Sequence, residues 1–285
     1  MKPSKLSSLI AEPDSPGVLR GEIWVSPGVL TEAGFDQDPR GLAGFASSVG
    51  ADVCFFHWPG SDLKELAELA HGAGLGCGLT IDGPFQRLTA TRNVLDILRE
   101  LGRDRAAFQR LLTREMEEIT GILSLIEQSE VDLILVGEDI GYAGGLYFSP
   151  EVFRSYLLPF YQVLVSRLAR MALGWHSDGA VEPILRDLVE CGFRFFSLEP
   201  ECVDLLNFKR AYGSRVTLIS GIRASWLAAK EFDRGRQRKC LKEISALARE
   251  GGLILASSGG LYSPELLPNF RELYRLIEDM APAAI

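Results

Sequence analysis

At 285 residues, with 47% hydrophobic and 24% charged side chains, the chain has the ordinary composition of a globular protein and is long enough for one large core. A formal net charge of -8 speaks against a nucleic-acid or anionic-membrane partner. No apolar run approaches the ~20 residues of a membrane span or marks a signal peptide at the start. The five cysteines, Cys54, Cys77, Cys191, Cys202 and Cys240, are odd in number and lack C-x-x-C spacing, which fits reduced structural thiols and predicts a cytoplasmic protein.

Residues 1–19, rich in Pro, Ser and Lys, read as a loose arm ahead of a barrel over residues 20–285. Residues 21–26 (G-E-I-W-V-S) read as the first strand, 42–49 as a short helix and 51–57 (A-D-V-C-F-F-H) as the second strand. A helix over 61–71 carries Leu63, Leu66 and Leu69 at helical spacing. The third strand, 76–81, runs into Asp82-Gly83-Pro84. A long helical stretch over 94–128, with a break at 102–104, leads to the fourth strand, 131–136, and to Gly137-Glu138-Asp139. Ser149-Pro150-Glu151 then opens a helix with a capping serine, a proline at the first position and an early acid.

The fifth strand starts at Ala172 and ends in His176-Ser177-Asp178, with Gly179 opening the next helix. Strands six, seven and eight fall at 193–198, 216–220 and 253–256, and Ser263-Pro264-Glu265 opens the last helix. Eight strands, each followed by helical pattern, predict an α/β fold of the (β/α)8 TIM-barrel type in a single domain. An open doubly wound sheet would show a Gly-rich phosphate loop after its first strand. Here G-A-G-L-G-C-G (72–78) precedes its strand and reads as a helix stop and turn. One echo is visible: G-G-L-Y-F-S-P-E from Gly144 and G-G-L-Y-S-P-E from Gly259. It reads as two loops solving the same capping problem, with half-barrel duplication as the alternative.

Barrel chemistry gathers at the C-terminal ends of the strands. Those ends carry His57, Asp82, Glu138 with Asp139, His176 with Asp178, Glu199, Arg223 and Ser257 with Ser258. His176 and Asp178, two residues apart on a strand, point to one side of the pleat. An imidazole and a carboxylate facing one space suit a metal site or an acid/base pair. The bland alternative has Asp178 capping the following helix and His176 half buried, and the residues leave both open.

Two blocks carry a resemblance. V-G-E-D-I-G-Y-A-G-G-L-Y-F-S-P-E-V-F-R-S-Y-L-L-P-F-Y from Val136 and H-S-D-G-A-V-E-P-I-L-R-D-L-V-E-C-G-F from His176 resemble signature blocks of the uroporphyrinogen decarboxylase superfamily. That superfamily contains decarboxylases and corrinoid-linked methyltransferases, and the resemblance implies the same barrel. The decarboxylases' N-terminal motif with two arginines is absent; Arg20 and Arg40 sit in no such motif. The methyltransferases bind zinc through H-x-C after the fifth strand and a further cysteine near the eighth. This chain keeps the histidine as His176, has Asp178 in place of the first cysteine and offers Ser257 and Ser258 at the eighth strand end.

The resemblance therefore implies methyl transfer linked to a corrinoid or other methyl donor at the barrel mouth. Decarboxylation of uroporphyrinogen or another carboxylated tetrapyrrole is the first alternative, with Arg223 and Arg87 gripping carboxylates, and a non-catalytic binding barrel the second. The expected catalytic residues are His176, Asp178, Asp139, Glu138 and Asp82; the expected substrate contacts are Arg223, Tyr142, Tyr147, His57, Ser257 and Ser258. His176, Asp178 and Glu199 are the expected ligands of zinc or another divalent metal. The expected partners are a small-molecule substrate, a corrinoid protein and a second copy in a homodimer.

Overall fold

A computed structural model describes residues 4–14, 17–57, 62–257 and 259–280. Eight strands form one sheet: β1 (Val18–Arg20), β2 (Val53–His57), β3 (Gly76–Asp82), β4 (Leu133–Gly137), β5 (Ala172–Ser177), β6 (Phe195–Leu198), β7 (Thr217–Ile222) and β8 (Leu253–Ser257). Their order is β1-β8-β7-β6-β5-β4-β3-β2, and every pair is parallel. The remaining seam lies between β1 and β2. There the Asp52 amide donates to the Arg20 carbonyl at 2.7 Å, and the Asp52 side chain accepts from the Arg20 amide at 3.0 Å. The sheet is thus nearly closed into a barrel, with helices around it.

Strand residues alternate between the barrel interior and the helical layer. Val53, Phe55, Leu133, Leu135, Phe195, Ile219, Ile254 and Ala256 fill the interior. The alternate positions, including Cys54, Phe56, Leu79, Ile134, Trp175 and Phe196, pack outward against the helices. Strands buried on both faces are apolar almost throughout, which is why the sequence shows them as continuous runs.

Two expectations change. The first strand lies at Val18–Arg20, ahead of residues 21–26. The alternation there reflects Ile23 packing with the barrel-interior cluster and Val25 forming a lone bridge to Leu261, not a ladder. The loose arm contains a helix, Lys5–Ala11, capped by Ser4, whose hydroxyl accepts from the Ser7 amide at 3.0 Å. Leu6 and Leu9, three apart on one face, close the N-terminal end of the barrel and join its interior cluster. A Cβ on Gly76, at the start of β3, would lie 2.7 Å from Leu6.

A helix over Pro84–Thr91 was not anticipated, because Gly83-Pro84 reads equally well as a turn after β3. The long helical stretch divides as expected, into Val94–Arg103 and Arg105–Glu127, and Asp104 caps the second helix by accepting from the Ala107 amide at 3.0 Å. Among the described residues, no helix is long and apolar enough to cross a membrane.

Candidate active site

Strand register builds the site. Asp82 on β3 stands beside Gly137 on β4, Gly137 beside His176 on β5, and His176 beside Ser197 on β6. Paired positions on parallel strands share a face, so one row at the C-terminal mouth carries a carboxylate, a bare backbone, an imidazole and a hydroxyl. A Cβ on Gly137 would meet nothing closer than 3.8 Å, so glycine leaves open room between Asp82 and His176.

His176 is held from two sides. Its Nδ1 is 3.0 Å from the Ser197 hydroxyl, and its Nε2 is 3.5 Å from Asp139 Oδ1. Asp139, just past β4, also accepts from the Asp178 amide at 3.0 Å and so ties the ends of β4 and β5 together. Burial raises the Asp178 carboxyl above its ordinary range; His176 opposes the rise, while Asp139, Glu199 and Glu201 add to it. Asp139, His176 and Asp178 each offer a ligand atom, and these atoms all lie within 4.8 Å of one another.

The helix-start reading of Asp178 fails. The following helix spans Glu182–Cys191 with Val181 at its cap, and no side chain caps it. The chain turns at Gly179, where φ is 84°, a value that favours glycine. The Gly179 amide donates to Glu199 Oε2 at 2.8 Å, so Glu199 orients the Asp178 loop. Of the expected ligands, His176 and Asp178 come together; Glu199 is outside the cluster and Asp139 stands in its place.

The other expected residues divide into those at the mouth and those beneath or beside it. His57 Nε2 lies 3.5 Å from Asp82 Oδ1, a second imidazole–carboxylate pair, and Trp24 meets the His57 ring edge-on at 5.7 Å. Tyr142 and Tyr147 stack with centroids 5.6 Å apart on the loop after β4. Glu138 is fully buried: it accepts from the Phe85 amide at 2.6 Å and from the Tyr161 hydroxyl at 2.7 Å. Burial pushes its carboxyl up to about 8, and it serves the N-terminus of the Pro84–Thr91 helix rather than the open mouth.

Ser257 is also buried, and both its amide and its hydroxyl donate to Glu22. Ser258 lies outside the described residues. Arg223 is engaged by Glu243 at 3.0 Å and by the Pro200 carbonyl at 2.6 Å. It lines a cavity of about 500 Å³ beside the mouth, together with Glu201, Cys202, Asp204 and Leu247.

Sequence reasoning missed Ser197, Glu22, Tyr161 and Tyr274. Ser197 had a signal, since it lies at the end of the sixth strand, two residues before Glu199, in the row that faces the mouth. Glu22 is buried and accepts from the Tyr274 hydroxyl at 3.0 Å as well as from Ser257. Burial pushes its carboxyl up to about 7.

The cluster fits a divalent cation. Ligand atoms about 2.0–2.2 Å from a central ion are mutually ~3–4 Å apart, and His176 Nε2 and Asp139 Oδ1 are 3.5 Å apart. One imidazole and two carboxylates form a nitrogen/oxygen set without sulfur. The nearby thiol, Cys202, is directed at Glu199 Oε2 at 3.2 Å, and its pKa is pushed up to about 11, chiefly by burial.

Comparison with known proteins gives a consistent picture. The family model described as Uroporphyrinogen decarboxylase (URO-D) matches residues 78–278. Methylcobamide:CoM methyltransferase MtaA of Methanosarcina barkeri is 25% identical over 168 residues, 58% of this chain and 47% of that protein. The chain thus spans about half the length of the curated relatives it matches. Among solved structures, a methyltransferase from Methanosarcina mazei superposes with a TM-score of 0.71 at 15% identity, covering 96% of this chain and 97% of the other. The catalytic domain of a Bacillus endo-β-1,4-mannanase reaches 0.55 at 11% identity over 95% and 89% of the two chains. At such identities the structural likeness shows the barrel.

Proposed function

The chain belongs to the uroporphyrinogen decarboxylase family, and from that premise we propose that it transfers a methyl group at the C-terminal mouth of its barrel. The observation that carries this reading is the convergence of Asp139, His176 and Asp178, and it is supported by the sequence resemblance, which implies a metal ligand at His176. Asp139, His176 and Asp178 would hold the divalent ion, zinc or another. When bound, such an ion acts as a Lewis acid that lowers the pKa of a methyl acceptor and makes it nucleophilic at neutral pH. The acceptor's lone pair then forms the new bond to carbon as the donor–methyl bond breaks and its electron pair stays with the donor.

The chain's own residues provide the setting. Ser197 fixes the His176 ring through Nδ1 and leaves Nε2 facing the cluster. Asp139 and Glu199 hold the Asp178 loop through the amides of Asp178 and Gly179. In this reading the His57–Asp82 pair takes up the proton that the acceptor loses. The donor is a corrinoid carried by a partner protein or another small methyl compound.

Decarboxylation of a tetrapyrrole needs cations to grip carboxylates, and the arginines proposed for it are engaged: Arg87 by Glu115 at 2.9 Å and Arg223 by Glu243 at 3.0 Å. Elemental analysis of the purified protein and its His176→Ala variant tests the reading. About one divalent ion per chain, lost in the variant, is expected, together with thiol-dependent loss of methylcobalamin absorbance that the variant does not support. No metal in either protein, or equal turnover by both, refutes it.

A further inference from the structure

Six large hydrophobic side chains stand exposed among the described residues: Trp24, Leu95, Leu125, Tyr142, Val163 and Tyr262. They sort by place and by kind. Leu95, Leu125 and Val163 are aliphatic and lie on helices of the outer wall. The three aromatics all lie on loops at the C-terminal mouth, after β1, β4 and β8 respectively, and are 43%, 51% and 54% exposed.

These loops flank the acids. Tyr142 adjoins the Asp178 turn, since a Cβ on Gly179 would lie 2.3 Å from the Tyr142 nitrogen and the Ala180 amide donates to the Tyr142 carbonyl at 3.0 Å. On the other side, a Cβ on Gly259 would lie 3.9 Å from Asp178 Oδ2. The next residue, Gly260, abuts Trp24, and the Leu261 amide donates to the Trp24 carbonyl at 2.8 Å. Positive φ at Gly259 and Gly260, 70° and 75°, lets this strip approach so closely.

The charge is one-sided. Asp82, Asp139, Asp178 and Glu199 stand at the strand ends, where His57 meets Asp82 and His176 meets Asp139, each at 3.5 Å, while Arg87 and Arg223 are paired with Glu115 and Glu243. A divalent ion on Asp139 and Asp178 would offset two of those four negative charges and leave two. Exposed aromatic rings together with a surplus of carboxylates are the chemistry that recognises alkylated ammonium groups.

We propose that the mouth binds a small organic cation bearing an alkylated ammonium head, seated between Trp24, Tyr142 and Tyr262 and drawn in by Asp82 and Glu199. This names the substrate class of the site and rests on the methyl-transfer reading for its role there. Anionic and neutral ligands of the same shape are disfavoured, because only a cation gains from both the ring faces and the carboxylates.

Calorimetric titration of the protein with choline and with 3,3-dimethyl-1-butanol, its uncharged isostere, tests the proposal. Choline should bind at least about tenfold more tightly, the equivalent of ~1.4 kcal/mol. Trp24→Leu and Tyr142→Leu should each weaken choline by about tenfold, Tyr142→Phe should retain it because the ring face carries the contact, and Val163→Ala should leave it unchanged. Equal binding of the two isosteres, or no saturable binding of choline, overturns the proposal. Metal content measured on the same samples separates the two readings. Bound metal and methyl transfer without choline binding overturn the organic cation alone. Choline binding without metal or methyl transfer upholds the cation site and overturns the reading on which its role depends.

Discussion

Glu22 is the sharpest place to test the energetics. It sits beneath the junction of β1 and β8, buried, accepting from the amide and hydroxyl of Ser257 and from the Tyr274 hydroxyl. Burial outweighs those three donors and raises its carboxyl from 4.5 to about 7. The folded protein therefore keeps this proton over a pH range in which the unfolded chain has already lost it. Stability contributed in this way is full below about 4.5, falls as pH rises through the window to about 7, and stays lost above it. At ~1.4 kcal/mol per pH unit, the window corresponds to roughly 3 kcal/mol.

Glu22→Gln removes the titration and keeps an acceptor for the Tyr274 hydroxyl and the Ser257 amide. Its amide hydrogens then need the Ser257 hydroxyl to turn and accept, so the variant should lose about 1 kcal/mol near pH 5. Near pH 8 it should match or exceed the parent, because the parent there bears the full ~3 kcal/mol cost of a buried charge. Urea unfolding followed by tryptophan fluorescence at several pH values reads the difference. Glu138, pushed to about 8 by burial, adds its own slope to both proteins and cancels in the comparison. Parallel pH dependences for parent and variant would show that Glu22 ionises without penalty and would refute the argument.

Two further outcomes follow from the same geometry. Leu6→Ala should destabilise the protein by about 2–5 kcal/mol in urea titration, because Leu6 is 0% exposed within the barrel-interior cluster; a cost under ~0.5 kcal/mol would mean the helix is not docked there. Gly179→Ala should cost more than about 2 kcal/mol and release bound metal, since φ is 84° and the new Cβ would lie 2.3 Å from the Tyr142 nitrogen; unchanged metal content would detach Gly179 from the site.

What the chain discloses before folding depends on how local the cause is. Strands buried on both faces announce themselves as apolar runs, and the spacing of His176 and Asp178 is enough to bring them together. The spacing of Ser197 to Glu199 gives the side it faces, but not its partner: it meets His176 because β5 and β6 pair in one register, across 21 residues. The short N-terminal helix is hidden for a different reason. Seven residues with two buried leucines carry too little periodicity to outweigh the Pro- and Ser-rich stretch around them.

The sequence echo sharpens the point. Ser149 and Ser263 both precede a proline and an acid and both stand at the cap of a helical segment, but neither side chain makes the capping hydrogen bond expected of it. The glycine-rich residues ahead of them part company. Gly145–Leu146 pairs antiparallel with Gly141–Tyr142, whereas Leu261 bridges Val25 in parallel. Yet the helical segment after each echo delivers a tyrosine to a buried acid, Tyr161 to Glu138 and Tyr274 to Glu22. The partners are 23 and 252 residues apart, and the first path contains a π-helical turn, Phe153–Leu157, that the second lacks. The repeated string thus accounts for where two helices begin. Which carboxylate each tyrosine reaches is decided by the closure of the barrel, and the penalty on those two acids is a property of the closed fold.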